Sequence, residues 1–237
     1  MPNRDSIQEY SDFEDQLIKK FEQDRFFTTV LPYLPPKEFT RYLLQLGNIS
    51  FEFVKFLERA KLGLATETGK EAIRQILRDE IPPTGPTHQD SRVSDLLKMG
   101  VPLDIILKNA PTKETSEAIK AYYEFIRYPK PLYDVRVIVF VRVIGEVLVG
   151  TTYKHVVQKI SNQYLIPPED LAFYTPHWKH DIKGGTGDAS GKGHTEYYDE
   201  VLVELISERT LHAAKEAAKT AANIRTKFNA QSIGNWS

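Results

Sequence analysis

Between Leu132 and about residue 162 the chain runs on without a turn signal, and valines crowd its first half. Valine favours strands. A run of about thirty residues, however, is far beyond the usual strand length of about 3–10. The segment therefore reads as one long, buried helix. Its most apolar part, Leu132 to Val149, is interrupted by Asp134, Arg136, Arg142 and Glu146. Four charges in that span argue against a membrane crossing.

A buried helix of this length needs other helices around it, and the rest of the sequence supplies them. Helices are expected at about 6–27, 37–62 (opened by Pro35-Pro36), 67–81 (stopped before Pro82-Pro83), 91–98 and 101–108. Thr112 is a candidate cap for a helix running to Arg127. Two more are expected at about 167–182 and 194–228. The fold class is all-α, a helical bundle. The 237 residues suit one domain: an N-terminal extension and helix over 1–35, a core bundle over 36–228, and a frayed tail over 229–237.

Composition narrows the chemistry. Lys+Arg 31 against Asp+Glu 32 leaves a net charge of -1, so no global field draws nucleic acid or an anionic membrane. The N-terminus is polar and acidic, without the apolar core of a signal peptide. The expected location is the cytoplasm, with no nucleic-acid or membrane partner. Cys is 0, which removes disulfides, thiolate ligands and cysteine nucleophiles. His, Asp and Glu remain as strong metal ligands, a set suited to hard or borderline metals.

Two carboxylates fall on apolar stripes. Glu80 follows Ile73, Ile76 and Leu77 on one helical face, and Glu146 lies between Val139, Val143 and Val149. A buried ionised carboxylate costs several kcal/mol unless it is paired or bound to a metal. Each has an ordinary alternative: Glu146 paired with Arg142 one turn earlier, and Glu80 half exposed near Arg74 or Arg78. All six histidines come later, at 88, 155, 177, 180, 194 and 212. His88 stands just past the Pro-Pro turn after Glu80. His177 and Asp181, four apart, share a helical face. His194 follows a glycine cluster (Gly184, Gly185, Gly187, Gly191, Gly193). That cluster fails as a phosphate loop: no pair of its glycines has the G-x-x-x-x-G-K spacing, and Gly193 stands where Ser or Thr is needed. A mobile loop, or a lid over a site, is the expectation. His155 and His212 read as structural or surface histidines.

The order Glu80, His88, Glu146, His177-x-x-x-Asp181 and a following histidine resembles the heme-oxygenase-like di-iron oxidases, the CADD-like and UndA-like group. The resemblance covers roughly residues 35 to 215 and rests on ILRDEIPPTGPTHQDSRVSDLLKMGV and YLIPPEDLAFYTPHWKHD. It implies a helical bundle holding two irons per chain, with manganese as a variant, that turns O2 on a small organic substrate. A homodimer is the family-level expectation. Carried over by position, Glu80, His88, Glu146, His177 and Asp181 would be metal ligands. The family run H-x-x-x-D-x-x-H would put a histidine at 184, where this chain has Gly184. His194 would be the sixth ligand if the glycine stretch loops out. Two other readings stay open: a bundle that has lost its metal and serves as an interaction module, and a cofactor-independent oxidase of the PqqC type. A TenA-type thiaminase would need a catalytic cysteine, and a heme oxygenase a histidine before His88.

Overall fold

The computed structural model describes residues 4–127, 130–185 and 192–232. Among the described residues there is no strand. The helices are α1 (Arg4–Glu22), α2 (Pro36–Gly63), α3 (Glu67–Glu80), α4 (His88–Lys98), α5 (Leu103–Lys108), α6 (Lys113–Phe125), α7 (Tyr133–Val141), α8 (Leu148–Tyr164), α9 (Tyr174–Asp181), α10 (His194–Leu205) and α11 (Leu211–Ala230). No helix among them is long and apolar enough to cross a membrane.

The long valine-rich segment is the axis of the bundle. α7 and α8 join without a break through a π-helical turn, Arg142–Val147. Every residue of that turn is buried. One extra residue per turn shifts the side-chain phase, so such turns often occur at functional sites. Around this axis pack α2, α9, α10 and α11. α2 starts as its sequence dictates, with Pro36 at the first helical position. It lays Phe39, Leu43, Phe56 and Leu57 into the core. Asp134 ties the turn after α2 to the start of α7. It accepts the amide of Thr66 at 2.8 Å and the Thr66 hydroxyl at 2.7 Å. The alanine face of α11 (Ala214, Ala217, Ala218 and Ala221) has no exposed surface. Small side chains there let α11 lie close against α7 and α1.

Four boundaries differ from the expectation. α4 begins at His88 rather than at 91. Thr87 and Asp90 form a reciprocal cap, with the Thr87 amide donating to Asp90 at 2.9 Å and the Asp90 amide donating to the Thr87 hydroxyl at 3.2 Å. The helix expected from 167 begins only at Tyr174. The stretch before it makes only a 3-10 turn, Pro168–Asp170, and the buried Asp95 carboxylate then accepts the amides of Ala172 and Phe173 at 2.8 and 2.9 Å. The helix expected over 194–228 is two helices. The Thr210 hydroxyl accepts the Ser207 amide at 2.8 Å and donates to the Leu205 carbonyl at 2.7 Å, so it takes the groups a continuous helix would use. The tail expected to fray from 229 starts inside α11: Asn229 is buried and accepts a hydrogen bond from Tyr42 at 3.0 Å. Residues 233–237, the rest of that tail, lie outside the described residues.

A close backbone joint lies between α8 and the end of α9. A methyl group at Gly150 would stand 2.5 Å from the Ile182 amide nitrogen and 2.8 Å from the Asp181 carbonyl carbon. Backbone cannot rotate away as a side chain can. Gly150→Ala is expected to cost about 1–3 kcal/mol, the usual range for overpacking. Urea unfolding of the variant beside the wild type measures it.

Candidate metal centre

Six side chains converge where α3, α4, α9 and α10 meet the π-helical turn. Glu80 is the last residue of α3 and His88 the first of α4. His177 lies within α9, and Asp181 ends it. Glu146 projects from the π-helical turn, and His194 is the first residue of α10. They form two triads, Glu80–His88–His177 and Glu146–Asp181–His194. In each, one ligand atom per residue lies within 4.8 Å of the others. Five of the six residues are buried, and His88 is partly exposed.

In the first triad His88 Nδ1 stands 3.1 Å from Glu80 Oε2 and 3.2 Å from His177 Nε2. His177 Nδ1 lies 2.8 Å from the Phe173 carbonyl. A carbonyl only accepts, so Nδ1 carries the proton and Nε2 offers its lone pair to the triad. This is the outer hydrogen bond that usually orients a metal-binding histidine. The arginines proposed as neighbours of Glu80 point elsewhere: Arg74 pairs with Glu67 and Glu71, and Arg78 with Glu71.

In the second triad His194 Nδ1 faces two carboxylates, Glu146 Oε2 at 3.2 Å and Asp181 Oδ1 at 3.0 Å. One ring nitrogen has at most one proton and can satisfy one of them. Asp181 Oδ1 accordingly lacks hydrogen-bond geometry despite its short distance, and Glu146 Oε1 has no partner. Arg142 does not serve Glu146. It turns away to Glu14 and Asp199. The far side of the His194 ring stands 3.4 Å from Asp79 Oδ2.

Proton affinities show how badly these charges fit a dry site. Burial pushes the Asp181 carboxyl up to about 7, and the nearby carboxylates of Glu146 and Glu80 add to that, against His194. Burial works against protonated His194, but the carboxylates of Asp181, Asp79 and Glu146 hold its pKa well above the ordinary histidine value. His88 is raised as well, where Glu80 outweighs burial. His177 goes the other way, held well below the ordinary value by burial and by His88.

A cavity of about 30 Å³ opens between the triads. That is room for about two water-sized molecules. Glu80, Glu146, His177 and Asp181 line it together with Ile49 and Phe53. The glycine stretch before His194 leaves and returns at one place: a methyl on Gly193 would lie 3.0 Å from the Gly185 carbonyl oxygen. Position 184 holds glycine, and the histidine that stands beside Glu146 and Asp181 is His194. The lid expectation concerns residues 186–191, which lie outside the described residues. His155 is remote from the triads. It packs on Phe27 and stands 3.5 Å from Glu22.

Sequence reasoning missed Asp79, Asp95 and the Phe173 carbonyl. Asp79 carried one readable signal, its place beside Glu80. The Thr87–Asp90 cap, which fixes where His88 starts its helix, was legible as T-x-x-D.

No family model and no curated protein matches the sequence. Solved structures do match its fold. A CADD-like protein of unknown function from Nostoc punctiforme aligns with a TM-score of 0.74 at 15% identity, over 96% of this chain and 98% of the other. A domain of unknown function with a heme oxygenase-like fold from Shewanella denitrificans aligns at 0.71 and 14% identity, over 97% and 90%. A TenA homolog from Pseudomonas syringae aligns at 0.65 and 13% identity, over 98% and 92%. The fold is therefore heme-oxygenase-like.

The shifts also fix a pH dependence for the metal-free protein. His88 and His194 keep their protons in the fold above the pH where the unfolded chain loses them, and Asp181 resists ionising until about 7. Each of these favours the fold at lower pH. The opposing shift, on His177, acts only below the ordinary histidine value of 6.5. The urea midpoint in chelator should therefore fall as the pH is raised above about 6.5.

Proposed function

We propose that this heme-oxygenase-like bundle holds a pair of divalent cations, iron first and manganese as a variant, and uses them to turn O2 on a small organic substrate. The observation that carries this reading is the second triad: two buried carboxylates face one imidazole nitrogen, and Glu146 Oε1 has no partner at all. Native folds rarely leave such an oxygen unsatisfied. A cation would satisfy every leftover lone pair. The residues fit iron or manganese by donor type, three carboxylates and three imidazoles without thiolate. Bundle-core sites of this composition are an established use of helical architecture.

Bound iron supplies the open coordination positions and the electrons for reducing O2. The chain's own groups do the rest. Glu80, His88 and His177 hold one cation, and Glu146, Asp181 and His194 the other. The Phe173 carbonyl keeps the proton of His177 on Nδ1 and so keeps Nε2 free. Ile49, Phe53, Val149 and Phe173 wall the cavity and exclude bulk water. The Tyr122 hydroxyl lines the same cavity without a partner and offers a hydrogen bond to what enters. An organic substrate needs more room than the cavity provides. Half-buried Phe53 packs against Gly145 at its wall and is the side chain that has to turn.

Loading requires His194 and Asp181 to give up protons, so the apparent affinity should fall as pH is lowered. Protein loaded anaerobically with Fe(II) is expected to hold two irons per chain and to consume O2 only when loaded. Glu146→Ala should lose at least one iron and the oxygen consumption with it. A variant that retains both irons would refute this assignment. Oxygen consumption that persists in chelator would point instead to a cofactor-independent oxidase.

A further inference from the structure

A second cluster of buried charge lies behind the Glu146 triad. Glu14 of α1 and Arg142 are each 1% exposed. Arg142 Nη1 donates to Glu14 Oε1, and Arg142 Nη2 donates to Asp199 Oδ1 at 2.8 Å. The Tyr10 hydroxyl donates to the same Glu14 oxygen at 3.1 Å. Lys183 Nζ stands 3.6 Å from the other oxygen, Glu14 Oε2, and donates to Asp15 at 2.6 Å.

The positions of these residues are informative. Arg142 precedes Glu146 by one helical turn, on the same π-helical segment. Lys183 lies two residues after Asp181, just beyond the end of α9. Asp199 shares α10 with His194. The three segments that bear the second triad thus each present a charge to one knot around α1. Of the first triad, Glu80 and His88 lie on α3 and α4, which present no residue to that knot, and His177 alone shares α9 with Asp181.

Stability alone gives little reason to bury such a pair. Hydrophobic replacements of buried ion pairs are often neutral or stabilising. An ion pair supplies direction, because its bonds hold only in one relative placement of the segments they join.

We propose that Glu14 is a positioning residue for the Glu146–Asp181–His194 cation position, acting through Arg142 and Lys183 to hold the three ligand-bearing segments in register. This inference rests on the reading of the triads as cation sites. It makes α1 part of the support of the Glu146–Asp181–His194 site, which presents a charge to the knot from all three of its segments, whereas the Glu80–His88–His177 site meets the knot only through α9. Outer-shell partners of ligands commonly govern affinity by about 10–100-fold.

Mn(II) alone is the probe, titrated into the full chain with both affinities resolved, beside thermal melts of the metal-free proteins. The double variant Glu14→Met/Arg142→Met removes the pair while keeping the site filled by apolar groups. Its melting temperature is expected to match or exceed that of the wild type. Its first Mn(II) should bind as in the wild type and its second about 10–100-fold more weakly. Asp199→Asn, at a half-exposed position, should weaken the second ion several-fold with the first unchanged. A folded double variant with both affinities unchanged, or with both lowered equally, overturns the proposal. If the double variant does not fold, Asp199→Asn and Lys183→Met decide. Selective loss at the second site supports the proposal, and unchanged binding overturns it. A wild type that binds no Mn(II) fails the two-cation reading itself. A wild type that binds two, with variants that match it, overturns only the role of Glu14.

Discussion

Three carboxylates share the buried middle of this molecule, and among the described residues no lysine or arginine pairs with Glu80, Glu146 or Asp181. Glu80, Glu146 and Asp181 are all buried. The arginines near enough to have neutralised them are committed to other groups. Arg142 closes on Glu14 and Asp199. Arg225, which reaches the cavity wall, donates through Nε and Nη2 to the Ile144 carbonyl. Arg74 and Arg78 pair with acids on the surface of α3. Histidines and protons are left to balance the charge, and a histidine proton can be displaced by a cation where a guanidinium cannot. The arrangement is costly as protein alone, and the cost falls once a cation enters.

The backbone reinforces this demand. Four of the six groups lie at helix ends: Glu80 and Asp181 close α3 and α9, and His88 and His194 open α4 and α10. Carboxylates at the negative end of a helix dipole and imidazoles at the positive end are the reverse of the usual preference. The dipoles disfavour carboxylate charge and imidazolium charge alike. Free carbonyl ends and neutral imidazoles, by contrast, suit a bound cation. The same positions give geometric freedom, since a terminal residue is aimed by its cap or loop as well as by helical phase.

What the sequence made legible follows the range of the interactions involved. Glu80, Glu146 and the His177–Asp181 pair declare themselves through spacing within one helix, because period and burial are local properties. His194 needed a statement about space, that Gly185 and Gly193 meet, which no local pattern carries. The alternative pairing of Arg142 with Glu146 fails for the same reason. Glu146 is its neighbour along the chain, but Glu14, from α1, is its neighbour in the fold. The break between α10 and α11 was hidden because apolar periodicity continues through it, while the hydroxyl of Thr210 ends the helix. The all-α fold itself was readable from one run too long for a strand and too charged for a membrane. Relatives at 15% identity and below share that backbone, so the chemistry must be argued from the site.

The π-helical turn links these levels. An extra residue between Arg142 and Val147 frees a carbonyl from the regular ladder, and a buried free carbonyl needs a donor. Arg225 of α11 provides it at Ile144, with bonds of 3.1 and 2.9 Å. The same turn separates the directions of Arg142 and Glu146, which a regular helix would stack one above the other. Arg142 is thereby free to meet Glu14, and Glu146 is left facing Asp181 and His194. A regular helix would have allowed the Arg142–Glu146 pair that the spacing suggests and so quenched the acid. The irregular turn keeps the carboxylate buried and without an arginine partner.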